Sequence, residues 1–212
     1  MKWCQTQPLL GIVTSFGKLE IFEIQNEPIK LALVASKTIE NQPVVLSLEW
    51  QNLNLVTSDS FGMITTWKYD SQGGALEIIQ TSKQHDFEAW ICTYDTWDPN
   101  LIYSGGDDCK LKIWDLRSSN SGLVIGKNCH DAGVTSLLSD QYNEHQLYSG
   151  SYGEKLLLWD KRNYKIPLET YCSGGGIWRI KQPKTRKNDE NFLGLACMHQ
   201  GFQLLNSTVS FT

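Results

Sequence analysis

Apolar and polar positions alternate along this chain with the two-residue period of half-buried strands. The pattern is clearest at residues 110–115, Lys-Leu-Lys-Ile-Trp-Asp, and the same Trp-Asp ending closes a continuous apolar run at 155–160, Lys-Leu-Leu-Leu-Trp-Asp. Each follows a short apolar run (101–104 or 146–149) across a tight turn rich in Gly, Asp or Glu. Glycine and short carboxylates favour such turns, so both stretches read as strand–turn–strand. Few windows carry a 3.6-residue period, and Gly, Asn and Asp punctuate the chain at strand lengths. The expectation is an all-β protein.

The Trp-Asp ending recurs. Trp114 and Trp159 lie 45 residues apart, Trp67 stands 47 before Trp114, and Phe22 holds the same slot 45 before Trp67. Leu205 follows Trp159 by 46. Five units with a period in the mid-forties are the mark of a four-stranded propeller blade. The chain is therefore expected to be a single WD-repeat β-propeller domain of about five four-stranded blades, with units at 1–34, 35–80, 81–125, 126–171 and 172–212. Strands are expected at 2–4, 10–14, 18–24 and 29–34, then 44–50, 54–58, 63–69 and 76–79. The third and fourth units use 89–94, 101–104, 110–115 and 123–125, then 134–138, 146–149, 155–160 and 168–171. The fifth uses 177–181, 192–197 and 202–206, with a weak candidate at 208–211. The polar stretch 182–191 reads as an exposed loop. WD-repeat rings usually close with seven blades, so five leave two open sides with unpaired edges and exposed apolar faces. The chain reads as part of a longer ring.

Aligned slots ten and six residues before the tryptophan can be compared across units. In the third unit they hold Ser104 and Asp108, with His85 ahead of the inner strand. Together with Trp114 these resemble the hydrogen-bonded tetrad of WD-repeat blades. The fourth unit keeps His130, Ser149 and Trp159 but has Gly153 for the carboxylate. The second keeps Thr57 and Trp67 but has Phe61. The fifth has Leu195 and His199, and the first has Ile12 and Phe16. Only the third unit carries the full set, so the other blades must be held mainly by packing.

Composition narrows the function classes. A net charge of −4 without a Lys/Arg run argues against a nucleic-acid footprint. Six scattered cysteines form no Cys-x-x-Cys pair, so neither a zinc site nor any other metal or cofactor is expected. No apolar run reaches membrane length. The plain expectation is a soluble, monomeric, cytoplasmic protein with reduced thiols.

Four stretches narrow the resemblance further. They are Ser-Gly-Gly-Asp-Asp-Cys-Lys-Leu-Lys-Ile-Trp-Asp (104–115), Gly-Ser-Tyr-Gly-Glu-Lys-Leu-Leu-Leu-Trp-Asp-Lys-Arg-Asn (150–163), Gly-Gly-Gly-Ile-Trp-Arg-Ile-Lys (174–181) and Leu-Ala-Cys-Met-His-Gln-Gly-Phe (195–202). They are similar to the diphthine methylesterase family, also called diphthine methyltransferase, over roughly residues 85–206. The one departure is Gly153, where an acidic residue is expected. The resemblance implies hydrolysis of the methyl ester of over-methylated diphthine, carried on a modified histidine of translation elongation factor 2, in diphthamide biosynthesis. A non-catalytic WD-repeat interaction scaffold, or an inactive truncated paralogue, is the competing reading, since a propeller hosts many functions.

Ester hydrolysis needs a nucleophile or activated water, a proton carrier and an oxyanion donor. The face formed by the turns between second and third strands should collect His85, Asp107, Asp108, Cys109, His130, Asp131, Tyr152, Glu154, the glycines and His199. His199 is the candidate general base, or else a histidine bonding a backbone carbonyl. Cys197, two residues earlier, is either its nucleophilic partner or a small buried residue. Gly174, Gly175 and Gly176 offer amides to an oxyanion, or simply ease the chain into a crowded inner strand. Trp178 and Arg179 start that strand, and Trp90 falls in the slot of Trp178 with Thr135 between. An aromatic rim there would receive the trimethylammonium group of diphthine; core packing is the alternative. His85, Ser104, Asp108 and Trp114 are assigned to structure.

Overall fold

The computed structural model describes residues 1–118, 123–125, 129–183 and 192–206. Among these residues nineteen strands form five antiparallel sheets, each built in sequence order. The first blade contains β1 (Lys2–Trp3), β2 (Leu9–Val13), β3 (Lys18–Asn26) and β4 (Ile29–Thr38). The second contains β5 (Val45–Gln51), β6 (Asn54–Asp59), β7 (Met63–Asp70) and β8 (Ala75–Lys83). The third contains β9 (Ile91–Tyr94), β10 (Leu101–Gly105), β11 (Leu111–Asp115) and β12 (Leu123–Ile125). The fourth contains β13 (Val134–Ser139), β14 (Gln146–Ser151), β15 (Lys155–Asp160) and β16 (Glu169–Cys172). The fifth contains β17 (Ile177–Lys181), β18 (Phe192–Cys197) and β19 (Gly201–Asn206). No helix occurs among the described residues. The candidate strand at 208–211 and most of the 182–191 loop lie outside them.

The recurring tryptophan explains the stacking. It stands on the third strand of its blade and faces the blade before it. Trp67 packs with Leu19 and Ile21 of the first blade. Trp114 meets Val56 and Ile64 of the second, and Trp159 meets Leu111 and Ile125 of the third. Leu205 takes the slot in the fifth blade, against Leu156 and Leu158 of the fourth. Trp67 and Trp159 are fully buried, each contributing about 3 kcal/mol of apolar transfer at the upper end for such side chains. Phe22, in the same slot of the first blade, is half-buried. In the fifth blade, Phe202 and Leu204 of β19 are 90% and 70% exposed.

Two outer strands run past their expected ends, β4 to Thr38 and β8 to Lys83. Each crosses a bulge, between Ile21 and Phe22 or between Thr66 and Trp67 on the neighbouring strand. An outer strand has little to bury, so its polar tail pairs by backbone hydrogen bonds without an apolar alternation to announce it.

Candidate functional site

The tetrad of the third blade forms as expected. His85 Nε2 lies 2.8 Å from Ser104 Oγ and His85 Nδ1 lies 2.9 Å from Asp108 Oδ1. Trp114 Nε1 donates to Ser104 Oγ at 3.2 Å. Burial pushes the Asp108 carboxyl up, but hydrogen bonds from His85 and the amides of Asp86 and Lys110 outweigh it and hold it below the usual range. The second blade keeps one link, Trp67 Nε1 to Thr57 Oγ1 at 2.9 Å, and Phe61 points outward, 51% exposed. In the fourth blade His130 Nε2 and Trp159 Nε1 both meet Ser149 Oγ, at 2.7 and 2.8 Å. Gly153 supplies no carboxylate, and buried His130 Nδ1 has no partner. Burial lowers His130 to about 4 against a weaker upward pull from Asp131.

The inner strands carry a second regularity. Their pairing slips between Val45 and Ser47, between Val134 and Ser136, and between Ile177 and Arg179. Leu46, Thr135 and Trp178 are thus the extra residues of bulges in three blades. Trp90, just before β9, holds the corresponding place, because Gly105 pairs with Ile91 as Gly150 pairs with Ser136. A bulge leaves its extra residue outside the ladder and re-aims the side chain. At the mouth of the central channel these slots converge.

Trp90 and Trp178 meet there edge to face, with ring centroids 6.1 Å apart and planes at 61°. The blade between them contributes only Thr135 at this slot, and its hydroxyl is turned onto the Ile177 carbonyl. Trp90 Nε1 donates to Asp107 Oδ1 at 3.1 Å. A Cβ on Gly133 would lie 2.7 Å from that carboxylate oxygen, so glycine keeps the contact open. The Arg179 guanidinium stands over Trp178, 5.4 Å from the ring centre, with Nη1 donating to the Trp178 carbonyl at 2.8 Å. Burial lowers the Arg179 pKa. Below the mouth, a cavity of about 220 Å³ is bordered by Lys2, Glu49, Thr93, Arg179 and Lys181. Asp107 is the partner that sequence spacing left among the general residues of the turn face. Its place one residue before the tetrad carboxylate was the available signal.

The rim of the fifth blade is arranged differently from the slot alignment. In the first four blades the left-handed turn residue is Gly17, Gly62, Cys109 or Glu154, always five positions after the slot of Ser104. In the fifth it comes one position earlier, at His199, with φ 66°. His199 therefore does not take the buried position of Asp108; its side chain is exposed. No hydrogen bond joins it to Cys197 among the described residues. Cys197 is 6% exposed within the core between the fourth and fifth blades. Burial raises its thiol pKa, against a smaller lowering by the Ser173 hydroxyl. A protonated, enclosed thiol is a poor nucleophile. The three glycines pass close by. A Cβ on Gly175 would lie 1.9 Å from the Met198 carbonyl, and one on Gly176 would lie 2.8 Å from that of Tyr152. They thread the chain between the Tyr152 and His199 turns and deliver it to Trp178.

Comparison with known proteins agrees with this architecture. The WD domain, G-beta repeat family matches residues 77–115. The diphthine methyltransferases of mouse and human are 35% and 36% identical, each over 97% of this chain but 46% and 48% of their own length. A diphthine methyltransferase homolog of Dictyostelium discoideum is 38% identical over 98% of this chain and 60% of its own. The chain thus spans about half the length of the mammalian relatives. A chain from a crystal structure of the mitotic checkpoint complex superimposes with a TM-score of 0.75 over 96% of this chain and 62% of its own, at 19% identity, a likeness of fold alone. The chain has the WD-repeat propeller fold and is similar to the diphthine methyltransferases over almost its entire length.

Proposed function

We propose that the chain hydrolyses the methyl ester of methylated diphthine on translation elongation factor 2, a step of diphthamide biosynthesis. The names of its relatives point to diphthine chemistry. The observation that carries the reading is the Trp90–Asp107–Trp178 group at the channel mouth. Aromatic faces attract a quaternary ammonium by about 0.5–2 kcal/mol each, depending on desolvation. A carboxylate beside them adds Coulomb attraction. Arg179 occupies one side of Trp178, so the ammonium lies on the Trp90–Asp107 side.

In this reading water is the nucleophile. His199, exposed beside the glycine turn, takes a proton from water as its oxygen bonds to the ester carbonyl carbon. The carbonyl electrons move onto the oxyanion, which faces the amides of Gly174, Gly175 and Gly176. They return as the bond to the methoxy group breaks, and the proton leaves with methanol. The products are methanol and the diphthine carboxylic acid, which loses the second proton of the water to solvent and leaves as the carboxylate. Cys197 has no covalent role.

The purified chain, incubated with ester-bearing elongation factor 2, is expected to release methanol, and His199→Ala to lower the rate about a hundredfold, as for loss of a general base. Release no faster than without protein would sink the esterase reading. The competing reading, a non-catalytic interaction scaffold, draws on the missing His199–Cys197 contact and predicts binding without methanol.

A further inference from the structure

We propose that the turn face over blades three to five is a docking surface for a basic polypeptide segment. Two independent features of this face point that way. The first is aromatic exposure. Phe87 is 61% exposed and Tyr152 58%, on either side of the Trp90–Trp178 mouth. Phe16 and Phe61 continue the arc in the first two blades, at 72% and 51%. All sit on turns at the same end of the propeller. Side chains this large and this wet, repeated at one face, mark an interaction surface rather than a core.

The second feature is charge. Asp86, Glu88, Asp107, Asp131 and Glu154 all stand on this sector, against the ammonium groups of Lys110 and Lys155 and the Arg179 guanidinium over Trp178. Both lysines are already committed, Lys110 to Asp86 at 2.6 Å and Lys155 to Asp131 at 2.9 Å. Among the described residues Glu88 and Glu154 make no ion pair. Their backbones are nevertheless fixed: the Glu88 carbonyl accepts from Asp107 N, and the Glu154 carbonyl from Ser173 N. Two carboxylates without an ion pair among the described residues thus project from fixed backbone positions, Glu88 next in sequence to Phe87 and Glu154 two residues after Tyr152. Lysine and arginine match both, by Coulomb attraction and by cation–π contact, whereas an acidic segment or nucleic acid is repelled.

A protein substrate of the proposed esterase would dock here, so this surface deepens that reading; its test needs no ester. A fluorescein-labelled peptide of alternating lysine and glycine is titrated with the full chain, and binding is followed by anisotropy. Binding is expected, weakening severalfold as ionic strength rises from about 0.05 to about 0.3 M. A matched glutamate–glycine peptide is expected not to bind. The double substitution Glu88→Gln/Glu154→Gln should weaken binding about fivefold, and Phe87→Ser/Tyr152→Ser should weaken it comparably. Glu144→Gln, on the opposite end of the propeller, should change nothing. Circular dichroism checks that each variant is folded. The surface is wrong if the basic peptide fails to bind, if Glu144→Gln weakens it as much as the double substitution, or if the acidic peptide binds better. Methanol release that persists despite such a failure leaves the esterase reading standing. Peptide binding without methanol release leaves the surface standing alone.

Discussion

Trp90 and Trp178 touch at 6.1 Å although an entire blade lies between them in sequence. The contact exists because the intervening slot holds Thr135, whose side chain is short and tied to the Ile177 carbonyl. Replacing Thr135 by Phe is expected to force the tryptophans apart. The near-ultraviolet circular dichroism of the coupled indoles should diminish while the far-ultraviolet spectrum stays. Unchanged near-ultraviolet bands would mean that the pair does not depend on this slot.

The tetrads give a graded stability test. Ser104→Ala leaves both His85 Nε2 and Trp114 Nε1 without their shared partner. Each orphaned buried group costs roughly 1–3 kcal/mol, so a loss of about 3 kcal/mol is expected in urea unfolding. Thr57→Val, which removes only the Trp67 link, should cost about 1–2 kcal/mol. Equal losses would contradict the view that the third blade is the one held by a polar network.

His130 makes the fold acid-sensitive. Its pKa is about 4 in the folded chain against 6.5 when unperturbed, so the unfolded state binds the extra proton between those values. Stability is therefore full above about pH 6.5 and falls as pH drops towards 4, by roughly 3 kcal/mol in all. Gly153→Asp offers His130 Nδ1 the carboxylate it lacks. The new Cβ would stand 2.5 Å from Asp131 Oδ1, the mobile end of an exposed side chain. The variant should gain about 1 kcal/mol near neutral pH and lose less on acidification. A steeper acid loss than in the parent chain would refute the pairing.

Gly175 tests the threading of the rim. Its Cβ position is 1.9 Å from a backbone oxygen, whereas at Gly174 the nearest atoms belong to the Gln200 side chain at 3.6 Å. Gly175→Ala should therefore displace the His199 turn. Gly174 has φ 72°, so Gly174→Ala should cost only the backbone strain of about 1–2 kcal/mol. Amide hydrogen exchange at residues 198–201 would separate the two, rising sharply only for Gly175→Ala.

The inner, second and third strands were legible as short apolar runs bounded by turn residues, most of them buried on both faces between blades, and because Trp67, Trp114 and Trp159 fix the repeat. The tetrad followed from slot arithmetic together with the resemblance to WD-repeat blades. Three features were hidden. The far ends of the outer strands β4 and β8, beyond residues 34 and 79, pair through backbone groups that leave no side-chain pattern. The slip of the left-handed residue to His199 is a backbone choice, and it takes that histidine out of the buried Asp108 position. The bulges that aim Trp90 and Trp178 at one another are likewise invisible in residue types, so Asp107 could be placed on the right face but not beside its indole partner.

In the proposed reaction the channel mouth reads the ammonium while the ester is cleaved. The direct measurement compares elongation factor 2 carrying methylated diphthine with the same protein carrying a tert-butyl group in place of the trimethylammonium. The two groups share shape and differ in charge. The parent chain should release methanol from the charged substrate at roughly ten times the kcat/KM of the neutral one, a difference of about 1.4 kcal/mol. Trp90→Ala and Asp107→Asn should each shrink that ratio towards one. Equal cleavage of both substrates by the parent chain, or a ratio unmoved by either substitution, would contradict it.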